Sequence, residues 1–130
     1  MLDELSTVTS ATVKTALDAL SLRQQLIAAN LANAGSAGYS PARVDFETAL
    51  GRELESGGDR SVQETLDALH KLRADLNEGH LTSRSQQQGV EIDLEMLRLN
   101  ETVIRYQALI QGLGKYGSLA RMAISGEVKP

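Results

Sequence analysis

Residues 92–124 read IDLEMLRLNETVIRYQALIQGLGKYGSLARMAI, and this stretch decides the fold of the chain. Apolar or small residues recur in it at alternating spacings of four and three without a break, which is the heptad pattern of a long helix with one apolar stripe. A helix cannot bury its own stripe, so the pattern predicts packing on a second helix, on a neighbouring chain, or on both. The stripe forms the C-terminal half of a predicted assembly seam: Ile92, Met96, Leu99, Val103, Tyr106, Ile110, Leu113, Gly117, Ala120 and Ile124.

Three acidic residues lie where this helix begins. Glu91, Asp93 and Glu95 occupy alternate positions near its N-terminal end, where negative charge complements the helix dipole. Residues two apart do not face each other on a helix. We therefore interpret the three carboxylates as partners of the dipole on a solvated face.

A second apolar stripe near the N-terminus offers a partner for the first. It repeats the same alternation, with Gln24 as the one polar interruption, and it ends where Asn33 and Gly35 favour leaving the helix. The sequence thus predicts a mainly α fold in which long N- and C-terminal amphipathic helices pack as an antiparallel, coiled-coil-like pair. The N-terminal half of the assembly seam is Val13, Leu17, Leu20, Ile27 and Leu31.

The segment between these helices is short-helical or irregular. Residues 45–50 have the pattern of a short helix, residues 55–59 that of a turn, and Ser61 with Glu64 forms a capping box for a third helix. Residues 77–89 sustain neither period, which predicts irregular structure that includes at most a short hairpin. We expect one folding unit with an N-terminal helix in 1–34, a middle segment in 35–90 and a heptad helix in 91–130.

Composition excludes several classes of function. The 130 residues carry a formal net charge of -4, which argues against a nucleic-acid partner, and they include no cysteine for disulfides or thiolate chemistry. Acidic residues follow the first methionine where a signal peptide would be basic, and no stretch is apolar enough to predict a transmembrane segment.

No catalytic, cofactor-binding or metal site is predicted. Gly112, Gly114 and Gly117 match the spelling of a dinucleotide-binding turn, but they fall inside the heptad helix instead of after a strand. We expect close packing or a kink there, because glycine inside a helix is otherwise unfavourable. His70 and His80 have no third ligand in a recognisable pattern, so neither is assigned a site.

One constellation carries a resemblance to a known family. Residues 29–33 read ANLAN and are followed by Gly38 and Tyr39, which resembles the N-terminal signature of flagellar rod and hook proteins, the axial proteins of the flagellum. The residues 105–107, RYQ, in the last helix are similar to proximal rod members in particular. The family's usual Thr-Pro before Gly-Tyr is replaced by Ser36 and Ala37, which predicts a looser turn. The motif residues are Asn30, Leu31, Ala32, Asn33, Gly38 and Tyr39.

The resemblance implies a structural subunit, not an enzyme, of the bacterial flagellar basal body. It implies type III export without a cleaved signal peptide and assembly of the proximal rod within the periplasm, where the subunit would help transmit torque. The implied partners are other copies of the chain, rod proteins of the FlgC and FlgF types, the rod-base adaptor FliE, the MS ring and, in transit, the export gate. Phe46 and Leu50 resemble a gate-docking segment, although four-residue spacing equally describes a core-facing pair.

A second class of protein stays open at this point. A cytosolic helical adaptor, either a coiled-coil dimer or a chaperone-like binding module, would show similar heptads and a similar acidity. The Asn-Leu-Ala-Asn and Gly-Tyr constellation favours the axial protein, because a generic coiled coil has no use for it.

Overall fold

The fold is mainly helical, and the computed structural model describes residues 2–125. Two long helices begin and end the chain, and shorter elements lie between them. Within the described residues, the helices do not include one long and apolar enough to cross a membrane. The elements are α1 Leu2–Ala32, β1 Ala42–Val44, α2 Glu47–Glu55, a 3-10 turn Ser56–Asp59, α3 Val62–Asn77, β2 Thr82–Arg84 and α4 Ile92–Ser125.

The predicted helix pair is confirmed. The C-terminal part of α1 meets the beginning of α4 through Asn30 and Glu95, and the middle of α1 packs against Tyr106 and Leu109, so the two helices run antiparallel. Helix α1 also contacts α3 and β1, which makes it the central element of the fold. Alanines at positions 16 and 19 are buried in α1, and their small side chains let the neighbouring elements approach its backbone closely.

A small core holds the middle segment against α1. The cluster contains buried side chains from four elements or their flanks, and half-buried leucines and a tyrosine pack around it. Leu76 of α3 lies in this cluster, so the last turn of the third helix is anchored to α1. The buried members are Ala16, Ala19, Leu20, Val44, Phe46 and Leu76.

Helix starts in the middle segment follow local side-chain chemistry. Asp45 precedes α2, and its carboxylate accepts hydrogen bonds from the backbone N–H and the hydroxyl of Thr48. The capping box predicted for α3 is confirmed, since Ser61 accepts from the N–H of Glu64 and the Glu64 carboxylate accepts from the N–H of Ser61. These bonds satisfy N–H groups that a helix start leaves without partners.

Residues 77–89 are mostly irregular, as expected, but the short hairpin that the sequence allowed there does not form. Strand β2 instead pairs antiparallel with β1, with Ala42 opposite Arg84 and Val44 opposite Thr82. Helix α1 holds β1 in place through the bonds between Asn30 and Ala42. Strand β2 then pairs with the other edge of β1. A periodicity test cannot detect it, because a three-residue strand has too few positions to show alternation.

The glycines of α4 do not interrupt the helix. Gly112, Gly114 and Gly117 lie within the continuous span of α4, and a Cβ placed on any of them meets no side chain or neighbouring element of the described chain within 4 Å. They are therefore not packed closely inside this chain. Contact with a neighbouring subunit at these positions stays a prediction.

Candidate functional site: a buried polar lock and an exposed helix flank

Asn30, the first asparagine of the motif, uses its whole side-chain amide. Its Nδ2 donates to the carbonyl oxygen of Ala42 at 3.0 Å and to Oε2 of Glu95 at 3.2 Å. Its Oδ1 accepts from the N–H of Ala42 and from the hydroxyl of Tyr39, both at 2.9 Å. Four bonds equal the capacity of an amide side chain, which is needed because Asn30 is fully buried. Asn30 thus binds both backbone groups of Ala42, as a neighbouring strand would, and ties α1 to β1.

Glu95 is the acceptor on α4 that continues the hydrogen-bond network of Asn30. It is 1% exposed, and its carboxylate accepts from Asn30, from Nη2 of Arg43 and, at 2.8 Å, from Nη1 of Arg98. Glu95 lies in the first turn of α4, but the expectation that it faces solvent is wrong, because β1 places Arg43 over the first turns of the helix. We call Asn30, Tyr39, Arg43, Glu95 and Arg98 the Asn30 lock.

The charges of the lock set the pKa of its carboxyl group. Burial raises the pKa of Glu95, but the hydrogen bonds from Asn30 and Arg43 and the attraction of Arg43 together outweigh burial. The pKa of Glu95 consequently lies below its usual value of 4.5. The carboxylate is charged at neutral pH, and it binds the two guanidinium groups in that state.

The Gly-Tyr part of the motif positions Tyr39 so that its hydroxyl reaches Asn30 in the lock. Gly38 has φ +76°, a left-handed conformation that a glycine adopts without strain. The turn before it is closed by hydrogen bonds from the N–H of Ser36 to Asn33 and from the N–H of Tyr39 to Ser36. The turn is therefore hydrogen-bonded at both steps without the proline that the family usually has.

The remaining motif residues serve the end of α1. Asn33 donates from Nδ2 to the carbonyl oxygen of Ala29 at 2.8 Å, which satisfies a backbone group at the helix end. Leu31 is half-buried and Ala32 is exposed, and both close α1. The motif thus combines a buried lock with a helix end and a turn.

The predicted assembly seam of α4 is divided between the interior and the surface. Glu95 and Thr102 are the buried residues of α4, and with Leu109 they define a stripe spaced by seven that faces α1. The predicted stripe is rotated from this one, and Ile92, Met96 and Ile110 are 55%, 44% and 47% exposed. Half-buried positions of the predicted stripe are Leu99, Val103, Tyr106, Leu113, Gly117 and Ala120.

We call Ile92, Met96, Val103 and Ile110 the α4 flank. Their spacings of four, seven and seven place them on one side of the helix. Ile124 belongs to α4, but its side chain lies outside the described residues. On α1, Leu20 and Ile27 are buried, and the other predicted seam residues, Val13, Leu17 and Leu31, are half-buried.

Phe46 lies in the core of this fold, and Leu50 is half-buried beside it. Phe46 is 6% exposed in the core cluster, the guanidinium of Arg23 lies 4.8 Å from the centre of its ring, and Leu50 packs against the same cluster. In the folded chain Phe46 is therefore not available to a docking partner, and Leu50 is available only in part.

A group of metal-ligand side chains that the sequence analysis did not find forms at the end of α3. Ligand atoms of Asp75, Glu78 and His80 lie within 4.8 Å of one another. Gly79, at φ +82°, and the bond from the N–H of His80 to the carbonyl of Asp75 close the helix end as a Schellman motif. The exposed imidazole contacts both carboxylates, so helix capping accounts for the arrangement.

Known proteins similar to this chain are rod components. It is 33% identical over 108 residues to the flagellar basal body rod protein FlgB of Proteus mirabilis (strain HI4320), covering 70% of this chain and 77% of that protein. The chain belongs to the FlgB family of flagellar basal body rod proteins. The FlgB of Bacillus subtilis (strain 168) is 28% identical over 121 residues, covering 88% of this chain and 92% of that protein. No family model and no solved structure matches the chain.

Membership of the FlgB family is consistent with what the motif does here. Its buried members join α1, β1 and α4, the elements that arrange the helix pair. The conformation of Gly38 and the bonds of Tyr39 belong to the same joint. The motif therefore serves the architecture of the subunit, and the α4 flank is the surface that this architecture leaves exposed.

Proposed function

We propose that this chain is a structural subunit of the flagellar rod that assembles with further copies through its terminal helices. The observation that carries the proposal is the α4 flank, in which Ile92, Met96 and Ile110 are exposed and Val103 is half-buried, on a helix whose neighbouring stripe is already packed on α1. Contiguous exposed apolar side chains mark interaction surfaces. Membership of the FlgB family gives the class of assembly in which that surface is used.

The flank supplies a favourable free energy of association. Full burial of a large apolar side chain is worth about 1.5–3 kcal/mol, so covering the exposed half of Ile92, Met96 and Ile110 contributes about 1 kcal/mol each. Each contact is weak, but a subunit in a rod repeats it with several neighbours. A head-to-tail contact that does not close on itself produces an extended array. Because each single contact is weak, isolated subunits stay separate at low concentration.

Torque transmission follows from the same arrangement. At 1.5 Å per residue α1 spans about 46 Å, and its antiparallel partner α4 supports it along much of that length. The Asn30 lock fixes the pair at one end with charged and neutral hydrogen bonds. A braced helix pair of this kind passes a twisting load to its neighbours through packed side chains, and no catalytic chemistry is part of the role.

Export and location complete the proposal. The subunit leaves through the flagellar export gate without a cleaved signal peptide and assembles in the periplasmic rod beside subunits of the FlgC and FlgF types, FliE and the MS ring. Phe46 is buried in the core, so gate docking through it together with Leu50 requires a chain that has not yet folded. The assembly seam then forms after transit.

Mass spectrometry of purified flagellar basal bodies from the source cells tests the proposal. We expect the chain to co-purify with the other rod proteins once cytoplasm and membranes have been removed. A soluble closed dimer in the cytoplasm, absent from basal bodies, would contradict it and favour the helical adaptor. Purified MS rings without a rod serve as the control, because they separate a rod subunit from a contaminant of the membrane ring.

A further inference from the structure

A cleft lined by arginines lies between α1, β1 and α4. Its volume is about 240 Å³, and Arg23, Arg43, Arg98 and Arg105 line it together with one acidic residue, Glu101. Three carboxylates stand in or beside it, since Glu95 binds two of these arginines and Glu47 binds the other two. Four arginines therefore face three glutamates, which leaves a locally positive site on a chain whose formal net charge is -4.

The cleft has unused hydrogen-bond donors. Glu47 accepts from Arg23 at 2.6 and 2.8 Å, whereas Arg105 reaches the same carboxylate only at 3.4 Å. The side chain of Arg105 is 58% exposed. A guanidinium has five N–H donors in a planar fork that matches a carboxylate. Besides its long contact with Glu47, Arg105 thus retains donors that can bind a second carboxylate at the mouth of the cleft.

An acidic tip lies at the junction of α2 and α3. Glu55 and Asp59 flank Gly57 and Gly58 where α2 turns into α3, and both acidic residues are exposed. Neither carboxylate has a hydrogen bond or ion pair with any residue in 2–125. The tip is next to the beginning of α1, since Gly57 shares a groove with side chains from the first two turns of that helix.

The tip and the cleft lie at different heights along α1. The tip lies beside residues 4–8 and the cleft beside residues 23–27. At 1.5 Å per residue the separation is about 28 Å along the helix. Within one copy the opposite charges cannot meet, but a second copy displaced by that distance places its tip at the level of the first copy's cleft.

We propose that the arginine cleft of one copy binds the acidic tip of a second copy, with Arg105 as the principal contact for Glu55 or Asp59. The contact joins two different surfaces, so it is heterologous and leaves a free tip and a free cleft at the ends of any stack. This inference rests on the proposed function. It adds an axial contact and its direction, whereas the α4 flank supplies a lateral one.

Disulfide cross-linking tests the contact directly, because the chain has no cysteine of its own. Asp59→Cys and Arg105→Cys chains are mixed, oxidised under assembly conditions and separated on a non-reducing gel. We expect a cross-linked dimer from the mixture and much less from either variant alone. Asp59→Cys mixed with Gln111→Cys is the matched control, since Gln111 is exposed on α4 but does not line the cleft. Equal cross-linking with both partners would overturn the inference.

Charge reversal gives an independent readout. Arg105→Glu and Asp59→Arg should each weaken self-association, followed by sedimentation, at least tenfold, and mixing the two should restore it, because every tip then meets a cleft of opposite charge. Arg105→Gln should show a smaller loss, and unchanged melting temperatures exclude misfolding. If the unaltered chain assembles but the variants match it, the inference fails and the proposed function stands. If the unaltered chain does not assemble even at high concentration, both fail.

Discussion

The side chains of Asn30 and Glu95 meet in the interior at 3.2 Å, although 65 positions of sequence separate them. Both are buried, and each is hydrogen-bonded to a further element: Asn30 to β1 and Glu95 to Arg43 on that strand. An amide is suited to this position because it donates to the carboxylate and still accepts from the N–H of Ala42. The contact closes the end of the helix pair where α1 gives way to the turn.

Replacing Asn30 tests the lock. We expect Asn30→Ala to lower the free energy of unfolding by roughly 2–4 kcal/mol, because the replacement removes all four hydrogen bonds that the buried amide makes to Tyr39, Ala42 and Glu95. Asn30→Asp should be worse at neutral pH, since it places two carboxylates together. Urea denaturation followed by circular dichroism measures both. Asn33→Ala, which removes one bond at the helix end, should cost only about 1 kcal/mol.

The lowered pKa of Glu95 predicts sensitivity to acid. Because its folded pKa lies below 4.5, Glu95 stabilises the fold above the unfolded-state pKa, and this contribution is lost as the pH falls through the folded value. Glu95→Gln should cost about 2 kcal/mol at pH 7 and flatten the fall in stability below pH 4.5. Some acid dependence should persist, since the pKa of Glu47 is also lowered.

Urea titrations at several pH values make that measurement. Glu91→Gln is the control, because Glu91 is exposed just before α4. A variant at Glu95 with the same pH slope as the unaltered chain would show that the buried carboxylate does not control acid unfolding.

Two glycines in one turn allow the effect of backbone conformation on stability to be measured apart from the effect of packing. Gly38 has φ +76°, whereas Gly35 has no positive φ, and a Cβ on either one meets nothing within 4 Å. Gly38→Ala should therefore cost about 1–2 kcal/mol through backbone strain. Gly35→Ala should be neutral or slightly stabilising, because alanine reduces the entropy of the unfolded chain. Thermal melts compare the two, and equal effects would refute a requirement for the left-handed conformation.

Substitutions at two adjacent residues of α4 test folding and assembly separately. Ile110 is 47% exposed, so Ile110→Asp should change the unfolding free energy by less than about 1 kcal/mol yet prevent incorporation into the rod. Leu109 packs against the core, so Leu109→Asp should unfold the subunit. Melting temperature and recovery in basal bodies are the two measurements. Normal incorporation of Ile110→Asp, and of Leu99→Asp where it folds, would remove the seam assignment.

Local chemistry explains which predictions from sequence succeed. The two long helices, their antiparallel packing and the capping box at Ser61 depend on spacing and on neighbours within a few positions. The division of the α4 stripe was harder to predict. Both the buried stripe and the flank follow heptad spacing, and apolar character alone favours the flank, because the buried stripe begins with Glu95 and Thr102.

From the sequence alone, the two long helices, the capping box of α3 and the family motif could be predicted, since each is specified by side chains close together along the chain. Only the tertiary structure decided that β2 pairs with β1, that Glu95 is buried and that Asn30 has four partners. The physical reason is that a buried polar residue is tolerated only when its hydrogen bonds are supplied, and here other elements supply them. The spacing of residues along the sequence does not predict which distant residue will donate or accept those hydrogen bonds.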